Sequence, residues 1–280
     1  MNNLDELISL ALNEDIGSGD ITTLATIPSD SKSKAEILVK QNGVIAGLDA
    51  ASSVVNKFDS SLRYKKIKED GDNVSKGEIV GTIEGSTRSI LSVERTLLNF
   101  MQRMSGIATT VNLFTEKISH TKARILDTRK TLPGFRMLDK YSVEKGGGIN
   151  HRIGLFDMFL IKDNHIAAAG SVSNAIKNCI EYRTEKKSNY KIEVEVKNLD
   201  ELNEALQFKV DVIMLDNFSK TDMKKAVEII NSKCKVEASG MVNIDTVKEI
   251  AETGVDYISV GAITHSVKAL DISLEITSSY

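Results

Sequence analysis

The stretch IEVEVKNLDELNEALQFKVDVIMLDNFSKTDMKKAVEIINSKCKVEASGMVNIDTVKEIAETGVDYISVG, residues 192–261, decides the fold. Within it, short runs of β-favouring residues end near Glu195, Asp216, Ser239 and Gly261, and helical patterns fill the intervals. These ends are evenly spaced, and each interval has the length of a compact strand–helix unit. The spacing predicts a series of parallel strands joined by helices.

The same alternation of strand-like and helical patterns extends towards the N-terminus. Two more β-rich runs end near Thr128 and Lys162, so six strand–helix units are predicted from about residue 122 onwards. Six units favour a parallel sheet closed, or nearly closed, into a barrel, and a doubly wound open sheet is the alternative. The first unit does not open with the Gly-x-Gly-x-x-Gly turn of dinucleotide-binding folds, which favours the barrel.

The first third of the chain has a different pattern and predicts a separate module. A helical spacing of leucine and isoleucine predicts a first helix that ends near Gly17. Strand-like runs follow at 35–40, 44–47, 61–68 and 78–85, and residues 90–104 carry the apolar stripe of a strong helix. Between the later strands, helices are predicted at 171–186, 199–208, 219–232 and 243–253.

The composition excludes several classes of protein. The 280 residues are 41% hydrophobic and 27% charged, which is typical of a soluble globular chain. Two cysteines are too few for a secreted disulfide scaffold, and a net charge of −3 argues against a nucleic-acid binder. No apolar run reaches the roughly 18 residues of a membrane span. The segment 1–15 carries no targeting pattern, so we expect a cytoplasmic protein.

Positive charge is concentrated in one segment. Residues 129–162 contain seven basic and three acidic residues, a net charge of +4, so the rest of this −3 chain carries −7. A local positive field inside an acidic protein suits a small, multiply charged anion better than a polymer. A solvated charged helix face is the alternative interpretation.

Polar residues follow the predicted strands, where a barrel places its active site. Glu195 and Asp216 end successive strands, so their carboxylates should point into the same mouth. Two such oxygen ligands suit Mg²⁺ that also carries phosphate oxygens, and a general acid/base pair is a second functional interpretation. Helix N-caps, or an ion pair with Lys130 or Lys162, are the structural alternatives.

The last two strands end in small residues, at Ser239-Gly240 and at Gly261-Ala262. Backbone N–H groups at such turns, approached closely because glycine has no side chain, form anion sites. These turns therefore predict a phosphate site, unless the glycines only permit tight connections. His265 either donates to the same phosphate or caps the helix.

Five basic residues supply the positive field of the predicted mouth: Arg129, Lys130, His151, Arg152 and Lys162. Arginine holds a carboxylate or a phosphate through two parallel hydrogen bonds, so this group suggests a dicarboxylate or a pyrophosphate ligand. Three glycines at 146–148 precede His151 and could carry it and Arg152 over the site.

The motifs together resemble the quinolinate phosphoribosyltransferase family. The resemblance runs in order along nearly the whole chain. The segments that carry it are Glu94-Arg95-Thr96, Asp127-Thr128-Arg129-Lys130-Thr131, Gly146-Gly147-Gly148-Ile149-Asn150-His151-Arg152, Ile161-Lys162-Asp163-Asn164-His165, Leu215-Asp216-Asn217-Phe218, Glu237-Ala238-Ser239-Gly240 and Ser259-Val260-Gly261-Ala262-Ile263-Thr264-His265.

The resemblance implies an α/β fold with two parts. It implies an N-terminal α/β sandwich module over 1–110, an incomplete parallel α/β barrel over 111–266, and a C-terminal segment, 267–280, that returns to the first module. It also implies a homodimer with active sites shared across the interface. The implied reaction joins quinolinate to phosphoribosyl pyrophosphate with Mg²⁺ and yields nicotinate mononucleotide, pyrophosphate and CO₂ for NAD biosynthesis.

The resemblance also implies a role for each matching residue. Arg95, lent by the neighbouring subunit, would hold quinolinate together with Arg129, His151, Arg152 and Lys162. Lys130, Glu195 and Asp216 would be the catalytic residues at the pyrophosphate, Mg²⁺ and ribose end, with Glu195 and Asp216 as metal ligands. The 5′-phosphate would lie against Ser239, Gly240, Gly261 and His265. Nucleic acid and membrane partners are not expected.

Three rival functions stay open at this stage. The first is a paralogue of the same fold, either of the kind associated with molybdenum transport or specific for nicotinate. The second is a Schiff-base aldolase with Lys162 as its nucleophile. The third is a carrier module, because residues 70–80 resemble the strand–turn–strand of lipoyl domains. The usual lysine at a hairpin tip is missing, so we interpret that stretch as structural.

Overall fold

The computed structural model describes residues 2–280. Over this part of the chain the fold divides into two compact units. The first unit contains the residues up to Asn112 together with 132–147 and 266–280, and the second contains 113–131 and 148–265. No helix among the described residues combines the length and apolar character that crossing a bilayer requires.

The elements of the N-terminal part are mostly those predicted. In chain order they are α1 (Asn2–Ile16), α2 (Ile21–Thr26), β1 (Lys32–Val39), β2 (Gly43–Val44), α3 (Leu48–Phe58), β3 (Arg63–Lys66), β4 (Asn73–Val74), β5 (Ile79–Ser86) and α4 (Thr87–Ile118). The predicted strand 44–47 is wrong beyond Val44, because the chain turns at Gly47, whose φ of 96° is left-handed, and α3 begins there. The predicted helix 90–104 is too short, since its buried stripe continues through Val111 to Ile118.

The remaining elements include the six predicted strands and the four predicted helices between the later ones, together with helices and a last strand that the sequence pattern did not predict. They are β6 (Arg124–Leu126), α5 (Arg136–Lys145), β7 (Phe159–Ile161), α6 (Asp163–Ala169), α7 (Val172–Glu185), β8 (Ile192–Val196), α8 (Leu199–Ala205), β9 (Val212–Asp216), α9 (Lys220–Ile230), β10 (Lys235–Ser239), α10 (Val247–Ala251), β11 (Tyr257–Ser259), α11 (Ala262–His265) and β12 (Ile272–Ser279). Helix α10 is shorter than the predicted 243–253. The Asn243 side chain instead accepts from the N–H groups of Asp245 and Thr246 and forms a turn before the helix.

An antiparallel sheet organises the first unit, in the order β12-β1-β5-β3. Alternate residues of β1, namely Ala35, Ile37 and Val39, are fully buried, which is the pattern of a strand with one covered face. The last strand, β12, pairs antiparallel with β1 from Ser33 opposite Ser279 to Val39 opposite Ile272. Gln102 on α4 secures the same segment by donating to the Ile272 carbonyl at 2.7 Å.

A parallel sheet organises the second unit, in the order β6-β11-β10-β9-β8-β7. From β7 to β11 each strand pairs with the next one along the chain, and the first strand, β6, pairs with the last, β11, as in a barrel. Strands β6 and β7 are the edges of the sheet. A doubly wound sheet would reverse direction near its middle. The predicted incomplete parallel α/β barrel is therefore confirmed, as is an α/β fold whose N-terminal part holds its own small sheet.

Candidate active site

Strand register brings the predicted acidic residues to one face of the barrel sheet. Glu195 on β8 lies beside Met214 on β9, and Met214 lies beside Glu237 on β10. Alternate side chains on a strand share a face, so Glu193, Glu195 and Asp216 point to the same side as Met214. Ser239, beside Asp216, completes this row at the carboxyl ends of the strands.

Lys162 and Glu195 meet across the mouth. The Lys162 ammonium donates to Glu195 Oε2, while the Lys162 backbone N–H donates to His165 Nδ1 at 3.0 Å. Glu195 is only 7% exposed, whereas Lys162 is partly exposed. The ion pair that the sequence offered as an alternative is therefore present. It leaves the second carboxylate oxygen of Glu195 for another partner.

Neither acidic residue serves as a helix cap. Helix α8 takes its N-cap from Asn198, whose side chain accepts from Asp200 and Glu201 N–H groups. Helix α9 takes its N-cap from Ser219. The capping interpretation of Glu195 and Asp216 is therefore wrong, because polar residues a few positions further along already satisfy those helix N–H groups.

The structure brings Lys130, Gly261 and His265 together. A Cβ on Gly261 would lie 3.2 Å from both Lys130 Cδ and His265 Cδ2. Thr264 on α11 donates to the Lys130 carbonyl at 2.9 Å, which ties the segment after β6 to the helix after β11. The Lys130 and His265 side chains are exposed, so this cluster lies at the open end of the barrel.

Ser239 and Gly240 form the neighbouring turn. Gly240 has a φ of 100°, and a Cβ there would collide with the Asn217 side chain and backbone. Asn217 is itself left-handed, with a φ of 54°, and its N–H donates to the Ser239 carbonyl at 3.0 Å. The ends of β9 and β10 are therefore joined backbone to backbone, a close approach that only glycine permits at position 240.

Arg152 and Arg129 form a like-charged pair. Burial lowers the pKa of Arg152, and the nearby Arg129 charge lowers it further. Arg152 Nη1 donates to the Met158 carbonyl at 3.2 Å, but its buried Nε–H has no hydrogen-bond partner among the described residues. Two adjacent guanidinium groups, one of which has an Nε–H donor without a partner among the described residues, suit an anionic ligand.

A buried cluster that the sequence did not predict lies beneath these arginines. His151 Nε2 is 3.0 Å from Glu193 Oε2 and 3.6 Å from Glu237 Oε2. Glu193 and Glu237 are each 1% exposed, and Ser259 on β11 donates to Glu237 Oε1. Their signal in the sequence was a glutamate inside an otherwise apolar buried strand, which barrel interiors seldom contain.

Burial controls the protonation of the two glutamates. It raises the pKa of Glu237 to about 8, and the neighbouring Glu193 charge adds to the effect. Burial likewise raises the pKa of Glu193 to about 7, against the lowering effect of its hydrogen bond with Glu237 and of the Lys162 and Arg152 charges. Because the two groups share a hydrogen bond, the pair holds a proton near neutral pH.

Arg95 belongs to the first unit. It lies on α4 with an exposed side chain, between the buried Val93 and Leu97. The other predicted site residues belong to the second unit. The structure therefore places the predicted residues in two groups, and all except Arg95 lie on the strand ends and loops described above.

Comparison with known proteins gives a consistent result over the whole chain. Residues 20–105 match the model of the quinolinate phosphoribosyl transferase N-terminal domain, and residues 107–275 match that of the C-terminal domain. A chloroplastic nicotinate-nucleotide pyrophosphorylase [carboxylating] from Arabidopsis thaliana is 47% identical over 98% of this chain and 82% of its own.

Two bacterial proteins are similar along almost their entire length. A probable nicotinate-nucleotide pyrophosphorylase [carboxylating] from Bacillus subtilis is 40% identical over 99% of this chain and 94% of its own. The solved structure of the nicotinate-nucleotide pyrophosphorylase from Francisella tularensis superimposes with a TM-score of 0.94 at 43% identity, covering 99% of this chain and 96% of that one.

Proposed function

This chain belongs to the quinolinate phosphoribosyltransferase family, and from that premise we propose which of its residues carry out each part of the reaction. The reaction transfers phosphoribosyl from phosphoribosyl pyrophosphate to quinolinate with decarboxylation, a pentosyl transfer in NAD biosynthesis. One observation carries the assignment. Basic side chains, paired carboxylates and glycine turns meet at the same strand ends.

We assign the two carboxylates of quinolinate to the basic side of the mouth. Arg129 and Arg152 supply adjacent guanidinium groups, and Lys162 supplies an ammonium held by Glu195. His151 lies next to Arg152 in the same segment. A dicarboxylate would relieve the repulsion between the two arginines, and arginine binds carboxylate bidentately. Arg95 of the partner subunit would complete this wall in a homodimer.

We assign Mg²⁺ to Glu195 and Asp216. The fit is supported by the register, which puts both carboxylates on one face of neighbouring strands, and by the oxygen of Glu195 that Lys162 does not engage. Hard carboxylate oxygens are what Mg²⁺ takes when it also carries phosphate oxygens and water. The ion would neutralise the charge of the departing pyrophosphate.

We assign the 5′-phosphate to the turns at Ser239-Gly240 and Gly261. Glycine at such turns lets a phosphate approach the backbone N–H groups, and the His265 side chain lies against Gly261. Lys130, on the other side of Gly261, is placed to approach the pyrophosphate. The two phosphate-bearing ends of one substrate would thus both find positive groups at this side of the mouth.

The chemistry follows from these positions. The quinolinate nitrogen bonds to ribose C1 as the bond from C1 to pyrophosphate breaks, and the developing positive charge on the sugar is stabilised by fixed carboxylates such as Glu195. Lys130 compensates the negative charge of pyrophosphate. The ring nitrogen is then cationic, so it accepts the electron pair that is left when the 2-carboxylate departs as CO₂, and C2 takes a proton.

A homodimer and a cytoplasmic location remain proposals. The homodimer is supported by the position of Arg95, which lies exposed on α4. The Arabidopsis relative is chloroplastic by name.

The test is product formation by the purified protein. Incubation with quinolinate, phosphoribosyl pyrophosphate and Mg²⁺ should yield nicotinate mononucleotide by mass spectrometry, and EDTA should abolish the product until excess Mg²⁺ is restored. Nicotinate in place of quinolinate is the control and should yield none. Product from nicotinate, or no product from either acid, would contradict the assignment.

A further inference from the structure

The buried cluster of His151, Glu193 and Glu237 contains two glutamates to which the reaction as assigned so far gives no role. Its two glutamates reach inward from β8 and β10, on either side of β9, and meet the His151 ring below the arginines. Ser259 on β11 fixes the second glutamate. Consecutive strands of the barrel sheet thus build the environment of a single imidazole.

His151 and its neighbour are attached to the barrel interior at several points. The His151 N–H donates to Asp127 Oδ1 at 2.7 Å, and Asp127 is fully buried. The Arg152 N–H donates to His151 Nδ1, also at 2.7 Å. Because Nδ1 accepts, the ring proton lies on Nε2 and points at Glu193. Both ring nitrogens are therefore engaged by the protein.

These contacts fix the backbone position from which the Arg152 side chain extends. The Arg152 guanidinium is half-buried beside the like-charged Arg129. Electrostatic repulsion between the two groups favours their separation. The anchoring of the Arg152 backbone through His151 opposes that separation. The direction in which Arg152 faces a ligand thus depends, through His151, on two glutamates that are buried away from the mouth.

Fold stability alone does not account for two glutamates in this position. Apolar branched residues normally fill a barrel interior, and burying ionisable groups costs free energy that hydrogen bonds only partly return. A leucine at position 237 would occupy similar volume without that cost. The polar cluster is better explained by the geometry it imposes on the segment above it.

We propose that Glu193 and Glu237 are positioning residues, which hold His151 and through it set Arg152 against Arg129 for the dicarboxylate. This inference rests on the proposed function, since it concerns how that site recognises its acid. It predicts that damage to the cluster weakens quinolinate recognition selectively. Phosphoribosyl pyrophosphate, assigned to the other side of the mouth, should be little affected.

The test is a comparison of Glu237→Leu with Glu237→Gln in steady-state kinetics on the full-length enzyme. In Glu237→Leu the KM for quinolinate should rise at least about tenfold, because a small displacement of a binding group is costly, while the KM for phosphoribosyl pyrophosphate stays within about twofold. Glu237→Gln keeps the hydrogen-bonding shape and should keep both KM values within about threefold of the wild type. Ile213→Val, a change on the opposite face of the intervening strand, is the matched control and should alter neither KM value.

Several outcomes would overturn the proposal. A Glu237→Leu enzyme with unchanged KM values, or with both raised equally, would show that the cluster does not position the acid site, and a Glu237→Gln as damaged as Glu237→Leu would do the same. Should Glu237→Leu not fold, Ser259→Ala carries the test, because it removes only the hydroxyl that holds Glu237. A selective rise of about threefold in quinolinate KM is then expected, and no rise overturns the proposal. Failure of the wild type to form product would instead contradict the proposed function.

Discussion

Arg152 is the residue whose loss should separate the two substrates most sharply. Its buried Nε–H has no partner among the described residues, and its neighbour Arg129 is also cationic. Removing a charged hydrogen-bonding partner from a half-buried site costs about 2 kcal/mol or more. We therefore expect Arg152→Ala to raise the quinolinate KM by at least about 30-fold and the phosphoribosyl pyrophosphate KM far less.

The matched control for Arg152 is Arg183→Ala. Arg183 lies on α7, where it contacts Asp211 at 3.6 Å, outside the row of residues that forms the mouth. This variant should leave both KM values unchanged in the same steady-state kinetic measurements. Equal losses of the two substrates in Arg152→Ala would remove Arg152 from the acid site.

The raised pKa of Glu237 predicts how the free energy of unfolding changes with pH. Folding raises the pKa of its carboxyl from 4.5 to about 8, so between these values the native state holds a proton that the unfolded chain has released. The contribution of this group is complete below the unfolded pKa and is lost as pH rises through the folded pKa. Glu237→Gln, which stays neutral, should therefore gain stability relative to the wild type as pH rises from about 5 to about 9.

Thermal unfolding at a series of pH values measures this difference. The gap in Tm between Glu237→Gln and the wild type should widen in favour of the variant across that range. Glu228→Gln, at an exposed position on α9, is the control and should run parallel to the wild type. A gap that stays constant or narrows would mean that Glu237 is ionised throughout.

The turn that follows β10 is the element to which we assign the 5′-phosphate. In Gly240→Ala the left-handed backbone is strained and the new Cβ collides with Asn217. We expect a loss of about 1–2 kcal/mol in unfolding free energy and a raised KM for phosphoribosyl pyrophosphate. Denaturant titration and initial-rate kinetics measure the two effects separately.

Gly77→Ala separates backbone strain from ligand binding. Gly77 also has a positive φ, 93°, but nothing lies within 4 Å of the position that a Cβ would take. This variant has the strain without the collision, so it should lose less stability than Gly240→Ala and keep both KM values. An unaltered phosphoribosyl pyrophosphate KM in Gly240→Ala would place the phosphate elsewhere.

Elements with a strong local pattern were predictable, and those decided by tertiary contacts were not. Strands β8 to β11 lie at the positions that the even spacing of the predicted strand ends indicated. They were predictable because each is a buried apolar run that ends in a polar or small residue. Helices α5 and α6 were missed: α5 is highly charged and α6 is short. The edge strand β12 was not recognised from its pattern, since its second half is exposed and its partner β1 lies near the other end of the chain.

Except for Arg95 on α4, the predicted site residues lie at strand ends or in the segments that follow them, where a change from apolar to polar residues is visible in the sequence. The buried cluster was missed because Glu193 and Glu237 lie on different strands, and one sequence cannot show that β8 and β10 aim them at the same imidazole. A glutamate within a fully buried strand was the available signal. Its meaning depends on register, which emerges only from the fold.

The complete molecule is proposed to be a homodimer in which Arg95 serves the neighbouring active site. Arg95→Ala and Lys162→Ala should each be nearly inactive alone. A heterodimer of the two would contain one site with both residues intact. Mixed at equal ratio in a twofold-symmetric dimer, they should recover about a quarter of wild-type activity, since half the dimers carry one of two sites.

Co-expression with two different affinity tags, followed by tandem purification, isolates the heterodimer, which should have about half of wild-type activity because one of its two sites is intact. Arg95→Ala mixed with itself is the control and should stay inactive. Absence of activity in the purified heterodimer would mean that Arg95 and Lys162 act in the same subunit, or that Arg95 has no role at the site.

The central claim is that one barrel mouth holds the dicarboxylate on its basic side and the phosphates at its glycine turns. The most direct measurement is a crystal structure of the enzyme with quinolinate and a non-reactive analogue of phosphoribosyl pyrophosphate. We predict quinolinate carboxylates on Arg129, Arg152 and Lys162, and the 5′-phosphate against Gly240 and Gly261. Quinolinate bound away from the arginines, or the two ligands in exchanged positions, would contradict the account.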